Sequence, residues 1–105
     1  MGLLGSVSSK QVDAFAKELA QDLAKRYPPA LESGGARVLS QKRLTAILET
    51  LFGRAAEFRA QHKLGVYKKA RLGNTFRWEL EELRYSKKFI ETATEGLIVY
   101  ISRGK

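Results

Sequence analysis

Few residues of this 105-residue chain are of the types that carry out acid–base, nucleophilic or metal chemistry. Cysteine is absent, which excludes disulfides and thiolate metal sites. The single histidine, His62, has no second imidazole with which to form a zinc site or a proton relay within one chain. His62 also falls on an apolar helical stripe, where we expect it to lie at the edge of the core. We therefore expect neither a metal nor another cofactor.

The serines and the densest group of carboxylates have simple structural explanations. Ser8, Ser40 and Ser86 each stand immediately before a helical pattern, where a hydroxyl caps free backbone amides. The acidic run at 79–82 lies in the first turns of a predicted helix, where carboxylates complement the helix dipole. Neither a nucleophile-elbow motif nor a glycine-rich nucleotide loop is present. The sequence therefore predicts a protein that is not an enzyme.

The basic residues are the chemically informative ones, because they are concentrated in one part of the chain. The net charge is +8, and it arises entirely from residues 37–77, which contain ten basic residues against Glu49 and Glu57. Residues 1–36 and 78–105 are each neutral overall. Such segregation indicates a surface for an anionic partner. We expect nucleic acid, either DNA or RNA, and an acidic protein partner is the alternative.

Lys68, Lys69 and Arg71 form the densest cluster of positive charge, just before Asn74 and the predicted start of a helix. Free amides and the positive end of a helix dipole bind phosphate at such places. On this basis the residues expected to contact nucleic acid are Lys68, Lys69, Arg71, Asn74, Arg77, Arg43, Arg54, Arg59 and Lys63. The charges that flank the apolar stripe of the second helix have an alternative role, which is to cover the edges of that stripe.

Two aromatic residues close to this cluster, Tyr67 and Trp78, could stack on bases if they were exposed. Tryptophan is more often a core residue, so the sequence favours a buried Trp78.

The elements that must position these residues are mostly helical. Apolar residues recur at spacings of three and four, and capping serines mark where the helices begin. The fold class we predict is mainly α: a compact four-helix single domain with a short C-terminal β-strand. The predicted helices cover 8–27, 40–64, 75–84 and 86–95, and the predicted strand covers 97–101.

Glycine and proline set the predicted boundaries. Residues 28–35 are rich in Pro, Gly and Ser, which predicts a linker. One alternative is a helix that runs through Gly73, but Gly73 and Asn74 are typical turn residues, so we prefer a break there. Gly96 ends the fourth predicted helix. The predicted organisation is a flexible tail at 1–7 followed by one helical domain at 8–105.

The apolar, β-branched run at 97–101 predicts a buried strand. A strand must pair its backbone groups, either with a short extended segment at 36–39 in a two-stranded sheet or with the same strand of a second copy. Pairing across a two-fold axis would also cover an apolar edge, which slightly favours a homodimer.

Two further hypotheses compete with these. Residues 75–95 have approximately the spacing of a helix-turn-helix with the strand at 97–101 in the place of a wing, but Arg84 occupies the turn position where glycine is usual. The start of the chain fits the myristoylation pattern at Gly2, but so short a pattern matches often by chance, and we favour a flexible tail. No apolar run is long enough for a signal peptide or a membrane span, so we expect a cytoplasmic protein and no membrane attachment.

Overall fold

The computed structural model of the protein describes residues 7–32 and 40–102. These residues form helices and no strand, which confirms the prediction of a mainly α fold and contradicts the predicted β-strand. The helices are α1 (Ser9–Arg26), α2 (Pro29–Glu32), α3 (Gln41–His62), α4 (Val66–Glu82) and α5 (Lys87–Ser102). The division into a tail at 1–7 and a domain at 8–105 stays a prediction.

Helix α1 begins and ends where the sequence predicts. The Ser8 hydroxyl accepts a hydrogen bond from the backbone amide of Gln11, which confirms Ser8 as the predicted cap. The Gln11 side chain accepts a hydrogen bond from the backbone amide of Ser8, so the two residues form a capping box. Val7 and Val12 are both buried beside this cap. Tyr27 ends the helix, because the following Pro28 disfavours a helical conformation at the residue before it.

Helix α3 also confirms its predicted start and its approximate end. The Ser40 hydroxyl caps the helix by accepting from the backbone amide of Arg43. Lys63 ends the helix in a left-handed conformation with φ of 49°. Between the two helices, Pro29–Glu32 of the predicted linker form the short helix α2, and the extended segment expected at 36–39 lies outside the described residues.

Helix α4 contradicts the predicted break at Gly73 and Asn74, and with it the predicted helix 75–84. The helix begins at Val66 and continues without interruption to Glu82. Gly73 is buried inside it, at a point where an added Cβ would lie 2.4 Å from Cδ1 of Ile98 in α5. Gly73 is therefore accounted for by the close approach of two helices and not by a turn.

Helix α5 contradicts both the predicted helix end at Gly96 and the predicted strand at 97–101. The helix runs from Lys87 to Ser102. Its buried side chains recur at helical spacing as Phe89, Ile90, Ala93, Leu97 and Ile101. Tertiary packing of this stripe overrides the β propensity of the run.

The helical conformation of α5 also removes the argument for a strand-paired homodimer. The backbone groups of residues 97–101 bond within the helix and leave no strand edge to cover. Gly96 lies inside the helix, where the ring of buried Phe52 packs so closely that an added Cβ would be 2.7 Å from its Cε2 atom.

The turn between α4 and α5 has the hydrogen bonds of a Schellman motif. The amide of Arg84 donates to the carbonyl of Glu81, and the amide of Tyr85 donates to that of Leu80. Arg84 has a φ of 75°, so an arginine occupies the left-handed position where the helix-turn-helix hypothesis expected glycine. The wing that this hypothesis placed at 97–101 is helical.

Helices α1 and α4 pack side by side and run parallel. Near their starts, Asp13 of α1 bonds to Arg71 of α4. Beyond their ends, the buried Tyr85 hydroxyl donates to the carbonyl of Tyr27. Burial raises the pKa of Tyr85, which keeps this hydroxyl protonated as a donor.

Helix α3 runs antiparallel to α1 and also packs against α5. The rings of Phe15 and Phe58 stack with centroids 4.1 Å apart, while nearer the other end of α1 Asp22 pairs with Arg54. The core thus lies among α1, α3, α4 and α5, and the described residues leave Tyr67 and Trp78 on the outer side of α4 exposed. None of the helices in the described ranges is long and apolar enough to cross a membrane.

Candidate nucleic-acid interface

Four residues form one stripe on the outer surface of α4, which we call the α4 outer face: Tyr67, Arg71, Asn74 and Trp78. Their spacing of four, three and four residues places them on one side of a helix. Tyr67 is 66% exposed and Trp78 is 55% exposed. The expectation of a buried Trp78 is therefore wrong, because the core-facing side of α4 is already occupied by Leu72, Phe76 and Leu80.

The α4 outer face borders a groove between α1 and α4 with a volume of about 780 Å³. Helix α4 contributes Asn74 and Trp78 to this groove, and α1 contributes Lys10 and Lys17. The remaining lining residues are Asp13, Ala14, Thr75, Arg77, Glu79 and Glu81. Neither Lys10 nor Lys17 forms a salt bridge within 7–32 and 40–102, so both ammonium groups are available to an anionic ligand.

Asp13, the one acidic residue that α1 contributes to the groove, is held by two residues of α4. Its carboxylate accepts two hydrogen bonds from the Arg71 guanidinium, at 2.9 and 2.8 Å, and one from the Thr75 hydroxyl at 2.9 Å. The hydrogen bonds from Arg71, and to a smaller extent the one from Thr75, lower the pKa of Asp13 against an opposing effect of burial. These two hydrogen bonds between Arg71 and Asp13, which we call the Asp13–Arg71 fork, fix the position of Arg71 on the α4 outer face.

The lowered pKa of Asp13 predicts a contribution to stability that disappears in acid. In the unfolded chain Asp13 titrates near 3.8, and in the folded protein it titrates lower. Its contribution is thus fully present above pH 3.8 and is lost as the pH falls through the folded value. We expect D13N to lower the free energy of unfolding at neutral pH and to flatten its decline below pH 3.8.

Urea denaturation at a series of pH values measures this effect. E49Q is the matched control, because Glu49 is exposed and has no salt bridge to any described residue. A D13N profile parallel to that of the E49Q variant would show that the fork between Asp13 and Arg71 does not stabilise the fold.

Three of the nine residues predicted to bind nucleic acid are engaged with carboxylates of the protein itself. Arg54 lies 2.6 Å from Asp22 and 3.8 Å from Glu18. Arg71 is bonded to Asp13, as described above, and Arg77 lies 3.7 Å from Glu81 one turn further along α4. The positive charge of the middle segment is thus partly neutralised, at Arg54 and Arg71 by α1 and at Arg77 by α4 itself.

Lys68 and Lys69 lie in the first turn of α4, so the predicted helix start beside this cluster is at Gly65 and not at Asn74. Neither lysine forms a salt bridge to a residue that the structure describes. Lys63 is exposed at the end of α3, and Arg59 is half-buried one turn earlier. Together with Arg71, these residues make the end of the molecule where α3 meets α4 strongly basic.

Arg43 lies apart from this basic end. It lines a second groove of about 530 Å³ beside the start of α3, together with Arg26 and Lys42. The nine predicted residues are therefore not on one surface. Two of them, Arg71 and Asn74, lie on the α4 outer face together with Tyr67 and Trp78.

Sequence reasoning missed Lys10 and Lys17 because they belong to the segment with no net charge. The signal that could have identified them is their spacing of seven residues, which places both on the polar side of α1. Their proximity to Trp78 depends on the parallel packing of α1 and α4, which local sequence does not specify.

No group of His, Cys, Asp or Glu in the described parts of the chain is arranged to hold a metal ion. The groove offers cationic, amide and aromatic groups, which suit recognition of an anionic, base-containing ligand. Comparison of the chain with protein-family models, with curated proteins and with solved structures finds no match.

Proposed function

We propose that this protein is a non-enzymatic nucleic-acid-binding module that uses the groove between α1 and α4. The observation that supports the proposal best is that the exposed Trp78 and Asn74 line the same groove as Lys10 and Lys17, neither of which forms a salt bridge to a described residue. Lysines bind the phosphates that every nucleic acid carries, and the amide and the indole can contact bases.

The charge distribution supports the same proposal. A net charge of +8 attracts polyanions in general, and Lys68 and Lys69 extend the positive surface from the groove to the start of α4. Glu79 and Glu81 line the groove as well, towards the end of α4, and repel phosphate there. The phosphates are therefore expected on the α1 side of the groove, beside Lys10 and Lys17, and the bases on the side of Trp78.

Salt dependence of binding tests the proposal. Each phosphate contact contributes roughly 0.7 to 0.9 to the slope of log affinity against log salt concentration. We expect K10A/K17A to reduce the magnitude of this slope by about one to two, measured by fluorescence polarisation of labelled DNA and RNA.

K87A/K88A is the matched control, because it removes the same charge from exposed positions at the start of α5, outside the groove. A smaller change for the control supports the groove. Equal changes for the two variants would show that only net charge matters and would contradict the proposed site. The absence of any binding to DNA or RNA at low salt would overturn the proposed function and favour an acidic protein partner.

A further inference from the structure

We infer that the ligand of this groove is a single strand, DNA or RNA, that continues from the groove along the α4 outer face, so that its unpaired bases stack on Trp78 and Tyr67. This inference rests on the proposed function and narrows it to one class of nucleic acid. It is based on the exposure of the two aromatic residues, on the distance between them, and on the hydrogen bonds that hold the residues around them in place.

The exposure of the rings discriminates between single strands and duplexes. In a duplex the faces of the bases are covered by their neighbours, and only the base edges and the backbone reach the protein. A ring on the open surface of a helix therefore stacks most readily on an unpaired base, because insertion into a duplex costs the energy of unstacking a base step. Tyr67 and Trp78 are two of the four large apolar or aromatic residues that are exposed among those described.

The spacing of the rings suits a continuous strand. Tyr67 and Trp78 are eleven residues apart in one helix, which is three turns, so they project from the same side about 16 Å apart along the axis. At about 3.4 Å per nucleotide of a stacked strand, this distance corresponds to about five nucleotides. Asn74 lies between the rings and offers both a donor and an acceptor to a base edge.

The surface between the rings is already ordered before a ligand arrives. Arg71 bonds to Asp13 and, through Nη1, donates to the Tyr67 hydroxyl at 3.3 Å. The phenol is therefore tied to a guanidinium that α1 holds in place. A rigid platform loses less conformational entropy on binding than a mobile one, which favours stacking over purely electrostatic contact.

The lysines flank this platform on the α1 side. Lys10 and Lys17 are two turns apart in α1, and α1 runs parallel to α4. A single strand that follows the groove can therefore place its phosphates beside the lysines of α1 and its bases beside the aromatic rings of α4.

Trp78 is the only tryptophan, so its fluorescence reports directly on the proposed stacking site. We would titrate the full chain at low salt with a dodecamer of deoxythymidine, a dodecamer of uridine, and a DNA hairpin duplex with the same number of phosphates. We expect quenching by at least one of the single strands and an affinity for it at least tenfold higher than for the duplex. Affinity should rise with strand length up to about five nucleotides and then level off.

Variants separate stacking from charge. Because each base–aromatic stack contributes a measurable share of affinity, W78A and Y67A should each weaken binding to the preferred strand by about five- to 150-fold, whereas W78F should retain most of it. V99A is the control, since Val99 is an exposed apolar residue on α5, outside the groove. These variants are measured by polarisation of a labelled strand, and because both rings are exposed the fold is expected to tolerate them.

The possible results distinguish the inference from the proposed function. Tight binding to duplex without quenching, and unchanged affinity for W78A and Y67A, would overturn the single-strand inference and leave the proposed function intact. Failure to bind any of the three ligands would overturn the proposed function itself.

Discussion

Replacing Leu97 with alanine is expected to lower the free energy of unfolding by about 2–5 kcal/mol, the usual cost of a cavity in a packed core. Leu97 is completely buried in α5, as is Ile101 one turn later. The side chain of Val99, between them, is 52% exposed. This pattern follows from the helix, because residues two positions apart point to different sides of it.

V99A is the matched control and distinguishes the helix from a strand. In a strand, residues 97, 99 and 101 would share one face, and truncation at 99 would be as costly as truncation at 97. In α5 we expect V99A to change the free energy of unfolding by about 0.5 kcal/mol or less, as for most surface substitutions. Urea denaturation followed by circular dichroism measures both variants, and equal losses for L97A and V99A would contradict the helix.

Introducing leucine at Gly73 is expected to lower the free energy of unfolding by about 1–3 kcal/mol, the usual cost of overpacking a core. The Cβ atom alone would approach Cδ1 of Ile98 to 2.4 Å, and a leucine requires further space between α4 and α5. Leucine is a better helix former than glycine by somewhat less than about 1 kcal/mol, so the local preference of the backbone acts in the opposite direction.

G53L is the control that isolates the packing effect. Gly53 also lies inside a helix, α3, but an added Cβ there meets no atom within 4 Å. The same substitution should therefore raise the free energy of unfolding by up to about 0.8 kcal/mol. Opposite signs for the two variants in thermal or urea denaturation are the expected result. Destabilisation of similar size at both positions would contradict the close approach of α4 and α5.

Local sequence was sufficient to predict where α1 and α3 begin and, to within two residues, where they end. Ser8 and Ser40 cap their helices through hydrogen bonds to residues three positions later, and Tyr27 and Lys63 end them. Such interactions span only a few residues, so the same short segments that contain the signal also contain its partners. The concentration of positive charge in residues 37–77 is likewise a property of the chain alone.

The C-terminal run shows where local signals compete. The five residues at 97–101 are all apolar, so they show neither helical nor strand periodicity by themselves, and such a run is typical of a buried strand. A longer window contains the decisive pattern, because Phe89, Ala93, Leu97 and Ile101 are four residues apart. The helix prevails since it buries this whole stripe against α3 and α4.

The candidate site depended more strongly on contacts between distant residues than the positions of the helices in the chain did. Lys68, Lys69 and Asn74 were recognisable by type and position, but Arg71 and Arg54 meet carboxylates that are 58 and 32 residues away in the chain. The sequence alone determined that this is a helical protein with its positive charge in the middle of the chain. Only the packing of the helices decided the rest, because each outcome depends on residues distant in sequence. The packing of α1 against α3 and α4 neutralises Arg54 and Arg71. The packing of α4 against α5 places Gly73 in a helix contact, and the core on the opposite side of α4 leaves Trp78 facing solvent.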